Sequence, residues 1–187
     1  AIKMAPVIKE LIQTNLLETR VCITGQHREK LDQVLEIFNI VPDYDLSLMY
    51  PGQTLTELTN KVISAMEKVF LDWRPDLVLV HGDTTTAFAS SLAAFYQQIP
   101  IGHVEAGLRS GNIYSPWPEE INRSLVGSMA ALHFAPTIGA AENLLSENIS
   151  QENIIVTGNT VIDALLETKK RIDNDADLRK ELDKKFN

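Results

Sequence analysis

The sequence predicts an α/β fold built on a Rossmann-like parallel sheet with helices on both faces. Short apolar runs alternate at least four times with stretches whose apolar residues recur at helical spacing, and the connections are short. Residues 21–25 read as a buried strand. Residues 27–38 read as a helix with Leu31, Val34, Leu35 and Phe38 on one face. Residues 41–52, with Pro42, Pro51 and Gly52, are turn-rich. Thr54 and Glu57 have capping-box spacing and open a helix that runs to about Trp73, where Arg74-Pro75-Asp76 stops it. Residues 77–81 form the most apolar strand, ending at Gly82-Asp83. A helix over 84–97, a strand over 101–104, a polar loop over 106–118 and a helix over 119–129 follow. Further strands are read at 132–135 and 154–156, and further helices at 137–146 and 161–171. From Asp173 the chain is a charged tail. Residues 1–12 also carry apolar side chains at helical spacing, with no initiator Met and no capping residue, so a strand and loop are expected to precede this helix.

With 17 basic and 25 acidic residues the formal net charge is −8, which argues against a general nucleic-acid binder but leaves room for a local basic pocket. A hydrophobic share of 44% over 187 residues suffices for the core of about one domain. The single cysteine, Cys22, excludes a disulfide framework within the chain and a thiolate zinc cage, and points to a reducing cytoplasm. No apolar run approaches the roughly 20 residues of a membrane span, and no signal peptide is read at the start.

In open α/β sheets ligands bind at the carboxyl ends of the strands. Three segments there are rich in polar groups: His81-Gly82-Asp83-Thr84-Thr85-Thr86, His103-Val104-Glu105-Ala106-Gly107-Leu108-Arg109-Ser110, and Ser115-Pro116-Trp117-Pro118-Glu119-Glu120-Ile121-Asn122-Arg123. Each residue also has a structural reading. Asp83 would cap the helix that follows, Glu105 would pair with Arg109 inside its turn, and Glu119 or Glu120 would favour a helix dipole. His81 and His103 would be partly buried, satisfied side chains. Taken together, Asp83, Glu105 and Glu119 beside His81, His103, Arg109 and Arg123 form a candidate acid–base site. There is no His-Glu-x-x-His spacing, no Gly-x-Gly-x-x-Gly and no Walker Gly-Lys-Ser/Thr, so neither a metal nor a dinucleotide or ATP site of the usual kind is implied. Thr24-Gly25-Gln26-His27-Arg28 could offer amides and Arg28 to a phosphate, or be a plain helix start. Thr157-Gly158-Asn159-Thr160 reads as a capped turn. Trp73 is expected to pack a helix end, and Trp117, between two prolines, is a candidate for a lid or for stacking on a sugar.

The stretches His81-Gly-Asp-Thr-Thr-Thr86, Gly102-His-Val-Glu-Ala-Gly-Leu-Arg109, Pro116-Trp-Pro-Glu-Glu120 with Asn122-Arg123, and Thr157-Gly-Asn-Thr-Val-Ile-Asp163 resemble the non-hydrolysing UDP-N-acetylglucosamine 2-epimerases, from residue 1 to about 170. Ala1-Ile-Lys-Met-Ala-Pro6 and Thr24-Gly-Gln-His-Arg-Glu29 are similar to two further family stretches. The resemblance implies one half of a glycosyltransferase-B-like two-domain fold. Residues 1–170 would be the amino-terminal α/β domain, without its first strand. Residues 171–187 would be a charged helical tail leading to the carboxy-terminal domain. It implies interconversion of UDP-GlcNAc and UDP-ManNAc through loss and re-addition of UDP, with no nicotinamide or other cofactor, in a cytoplasmic homodimer. Asp83, Glu105 and Glu119 would be the catalytic carboxylates, and Lys3, His81, Arg109 and Arg123 would support the substrate. Gln26, Gln53 and Glu119 would fall at a second, activating UDP-GlcNAc site, although position 52 is Gly where some members carry a basic residue. A hydrolysing relative, a glycosyltransferase-B transferase that would need an acceptor, and a catalytically silent nucleotide-sugar-binding or interaction domain are the competing readings.

Overall fold

The computed structural model describes residues 1–25 and 28–186. In chain order the elements are α1 (Ala5–Gln13), β1 (Cys22–Ile23), α2 (Arg28–Phe38), β2 (Tyr44–Asp45), α3 (Leu55–Asp72), β3 (Val78–His81), α4 (Thr85–Tyr96), β4 (Ile101–Val104), α5 (Glu119–Met129), β5 (Leu132–Ala135), α6 (Ile138–Ser146), β6 (Ile154–Val156), α7 (Val161–Asn174) and α8 (Ala176–Phe186). They divide into two compact units, residues 20–158 and residues 1–19 with 159–187. The smaller unit is helical. Its α1 and α7 are joined by an ion pair between Lys9 and Glu167.

The larger unit is α/β. Its main sheet has the order β3-β4-β5-β6, all parallel, and β1 and β2 form a separate parallel pair. Parallel neighbours need crossover connections, and α4, α5 and α6 supply those of the main sheet. The capping box is present: Thr54 accepts from the Glu57 amide, and the Glu57 side chain accepts from the Thr54 amide. From this start α3 buries Leu58, Val62, Met66, Val69 and Phe70 along one stripe. That stripe meets Val80, Ile101 and Val126, from β3, β4 and α5, in one apolar core. Each such side chain contributes about 1.5–3 kcal/mol when fully buried. Between α3 and α5 runs α4, whose buried positions are Ala87, Ala89, Ser90, Ser91, Ala93 and Ala94. Side chains this small leave little between the helix backbones. All four residues of β4 are buried, so both of its faces are covered.

The sequence does not reveal β2. Two residues are too few for a period-2 pattern, and the parallel pairing of Cys22 with Tyr44 and Ile23 with Asp45 is what organises that turn-rich stretch. The strand expected over 21–25 contracts to Cys22–Ile23. Part of the charged tail is a helix, α8, separated from α7 at Asp175, whose carboxylate accepts from the amides of Asp177 and Leu178.

A second apolar cluster seats α6 on the sheet through Ala106, Ala135, Ala140, Ala141, Leu144 and Ile154. The close approach is set at Gly107, which has φ +85°; a Cβ there would lie 2.1 Å from the Ala140 carbonyl oxygen. Gly107→Ala is therefore expected to lower unfolding free energy by more than about 2 kcal/mol, because backbone must move as well as φ become strained. Gly52→Ala, at φ +80° with nothing within 4 Å of the added carbon, should cost only about 1–2 kcal/mol. Urea denaturation of the two variants measures the difference.

Candidate active site at the carboxyl edge of the sheet

The strand register brings the polar segments together. β3 and β4 pair from Val78 with Ile101 to His81 with Val104, and Val104 pairs with Phe134 of β5. The ladder continues beyond the strands. Gly82 N–H donates to Val104 O at 3.0 Å, and Ala106 N–H donates to Phe134 O at 3.0 Å. Glu105 sits between those two anchored neighbours with φ +65°. Most other non-glycine residues in that region are Asn, which tolerates it; a glutamate there carries strain of about 1–2 kcal/mol. Strain of this kind, held by the surrounding ladder, is a feature of functional sites.

Asp83 does not cap the next helix. Thr84 does, its hydroxyl accepting from Ala87 N at 3.1 Å, so the Asp83 carboxylate is left for other work. Its Oδ2 accepts from Arg123 Nη2 at 2.6 Å, and the Asp83 carbonyl accepts from Asn122 Nδ2 at 3.0 Å. One residue earlier, the Gly82 carbonyl accepts from His103 Nε2 at 2.8 Å. The 82–83 turn, with Gly82 at φ +67°, is thus fastened from β4 on one side and α5 on the other.

The second carboxylate is close by. Glu105 Oε2 lies 3.2 Å from His81 Nε2 and 3.6 Å from where a Cβ on Gly82 would be. Side-chain exposures of 32% for Asp83 and 13% for Glu105 leave both reachable from the carboxyl edge. Glu119, partly buried, opens α5 one turn before Arg123, at the spacing that places two side chains on one helix face.

Arg109 goes elsewhere. It does not pair with Glu105 but makes two hydrogen bonds, of 2.6 and 2.8 Å, to Glu147 after α6. Nothing in the sequence marks Glu147, which lies 38 residues away and outside every motif. Glu120, legible only as a helix-dipole residue, is buried. Its Oε1 accepts from the amides of Ser110 and Gly111 at 2.8 and 3.0 Å. Gln53 donates to Leu48 O at 3.3 Å, in the loop before α3. Gln26 lies outside the described residues. Lys3 belongs to the smaller unit, just before α1. Asn159 caps the turn before α7, accepting from Val161 N at 3.2 Å. Trp73 ends α3 with the Arg20 guanidinium 4.7 Å over its ring, while Trp117 is 62% exposed on the 106–118 loop. No group of three or more His, Cys, Asp or Glu among the described residues is placed to hold a metal, and no described helix is long and apolar enough to cross a membrane.

His103 is fully buried, and burial pushes its pKa down to about 4. A carbonyl can only accept, so the neutral ring carries its proton on Nε2. His133, its register partner on β5, is also shifted down by burial. Unfolded, His103 titrates near 6.5. Between pH 6.5 and about 4 the unfolded chain therefore binds more protons than the folded one. The stability this imidazole contributes is complete above pH 6.5 and is lost as pH falls towards 4, a change of about 3 kcal/mol. His103→Gln, whose amide can still donate to Gly82 O, should flatten that part of the stability–pH curve in denaturant titrations.

The sequence matches the family described as UDP-N-acetylglucosamine 2-epimerase over residues 9–187. It is 57% identical to the UDP-N-acetylglucosamine 2-epimerase of Salmonella typhimurium over 186 residues, covering 100% of this chain and 50% of that protein. A crystal structure of the UDP-GlcNAc 2-epimerase of Neisseria meningitidis bound to UDP-GlcNAc superposes with a TM-score of 0.95 at 56% identity, over 99% of this chain and 50% of that one. The Methanocaldococcus jannaschii enzyme in complex with UDP-GlcNAc and UDP gives 0.89 at 36% identity, over 98% and 50%. The chain thus spans about half the length of these relatives and has the fold of the corresponding half. It belongs to the UDP-N-acetylglucosamine 2-epimerase family.

Proposed function

We propose that the protein carrying this chain interconverts UDP-GlcNAc and UDP-ManNAc without hydrolysis, supplying ManNAc-type sugars for a bacterial surface polysaccharide. The observation that carries this reading is the pair of carboxylates, Asp83 and Glu105, at the ends of adjacent parallel strands, one backed by Arg123 and the other by His81.

The C2 hydrogen of a GlcNAc unit is not acidic enough to be removed by itself. Breaking the C1–O bond first sends its electron pair to departing UDP and builds oxocarbenium-like charge on the ring. Carboxylates at the site stabilise that charge. One of them takes the C2 proton, the C–H electrons form the C1=C2 bond, and 2-acetamidoglucal results. Re-addition reverses the steps: UDP oxygen returns to C1 and a proton is delivered to the opposite face of C2. Inversion needs proton-carrying groups on both faces. Three carboxylates on separate segments, Asp83, Glu105 and Glu119, suit that demand. Arg123 and His81 stand beside two of them, Arg109 is held by Glu147, and no cofactor is proposed to take part.

The relatives are twice as long, so the 187-residue chain by itself is proposed to bind nucleotide sugar weakly and not to turn over, with residues 171–187 leading to the remaining half. The working protein is proposed to be a cytoplasmic homodimer. Gln26, Gln53 and Glu119 are proposed to serve a second UDP-GlcNAc as activator. In the UDP-ManNAc direction this predicts a lag abolished by added UDP-GlcNAc; linear progress without activation would sink that part.

The deciding experiment incubates the full-length protein with UDP-GlcNAc in D2O and follows the sugar by NMR. UDP-ManNAc with deuterium at C2 is expected. Free ManNAc with UDP would move the protein to the hydrolysing branch, and unchanged substrate without deuterium would leave a transferase or a binding domain. Asp83→Asn, Glu105→Gln and Glu119→Gln should each lower kcat by about 10²–10⁴-fold, whereas a silent binding domain would be indifferent to them.

A further inference from the structure

Glu120 neighbours the candidate carboxylate Glu119 in sequence but turns inward. Its side chain is 3% exposed, and it works in two directions. Oε1 gathers the amides of Ser110 and Gly111, which begin the outer part of the 106–118 loop. Oε2 lies 3.5 Å from Arg123 Nη1, and the Nη2 of the same guanidinium holds Asp83 at 2.6 Å. Arg123 is itself only 13% exposed. One buried cation therefore stands between two carboxylates, one of them tied to the loop by backbone hydrogen bonds. A charge buried at this depth keeps its place only while its partners stay in place. Asn122, on the same helix turn, fixes the Asp83 carbonyl.

We propose that Glu120 is a positioning residue, whose buried carboxylate holds Arg123 in the orientation that presents Asp83 and couples Asp83 to the 106–118 loop. The proposal rests on the epimerase reading for its kinetic consequence and on geometry alone for the coupling. Buried at 3% exposure, Glu120 acts through Arg123. The loop it anchors exposes Ile113, Tyr114 and Trp117.

Two variants separate the functions. Glu120→Gln keeps an acceptor oxygen for Ser110 and Gly111 but removes the charge facing Arg123. Glu120→Ala removes both. In the full-length protein Glu120→Gln is expected to lower kcat at least about tenfold while KM changes less than about threefold, the split expected of a group that matters in the transition state. Added to Arg123→Gln, it should cost less than about twofold more, because its effect runs through that guanidinium. Glu120→Asp, which keeps the charge, should restore part of kcat. Effects of Glu120→Gln and Arg123→Gln that multiply, or a kcat per folded molecule equal to wild type, would overturn the proposal. Hydrogen exchange measured by NMR on the full-length protein, without substrate, gives a readout without turnover. Glu120→Ala should speed exchange of the Ser110 and Gly111 amides and of the Asn122 side-chain amide alike. Acceleration confined to Ser110 and Gly111 would overturn the coupling. A wild-type protein that makes no UDP-ManNAc would remove the functional reading, and the exchange result would still decide whether Glu120 and Asp83 are linked.

Discussion

The parallel pairing of β3 with β4 is the constraint on which the site depends. Strands in register from Val78 with Ile101 to His81 with Val104 leave the sheet at the same level, so the segments that follow them emerge side by side. The ladder then continues through Gly82 and Ala106, which pins the turns and leaves Glu105 little choice of conformation. A shift of one residue would carry His81 and His103 to the opposite faces of the sheet and dismantle both histidine contacts at once. The apolar core formed by α3, α4 and α5 holds this register, because Val80 and Ile101 reach it only when their strands are aligned.

On that frame the polar groups are arranged by the cost of burying them. Charged side chains with little exposure need partners: Arg123 lies between Asp83 and Glu120, Arg109 pairs with Glu147, and Glu105 approaches His81 Nε2 at 3.2 Å. His103 takes another course. Deep in the sheet it stays neutral and spends its one ring N–H on Gly82 O. The site is therefore backed by the buried, neutral His103 and fronted by the Arg123–Asp83 and Arg109–Glu147 ion pairs.

Much of this was legible beforehand because it is local. The capping box at Thr54, the stop after Trp73, the apolar strand into Gly82-Asp83 and the polar density after each strand follow from residues within a turn or two of each other. The family match over residues 9–187 agrees with the motifs that carry the resemblance. What was not legible depends on contacts across the chain. Asp83 reads as a helix cap until Thr84 is seen to take that role. Arg109 reads as the partner of Glu105 until Glu147 appears beside it. Glu120 reads as a dipole residue until the amides of Ser110 and Gly111 are found on it.

The sequence by itself determined the α/β class, most of the helices and strands, and the set of acidic and basic residues at the strand ends, because periodicity, capping and turn chemistry act over a few residues. Only the tertiary structure decided which carboxylate meets which cation, that a two-residue strand at Tyr44–Asp45 pairs with β1, and that Glu120 faces inward. Those outcomes follow from burial, since a charge or a backbone amide withdrawn from water takes whichever partner the fold brings within reach, however distant that partner is along the chain.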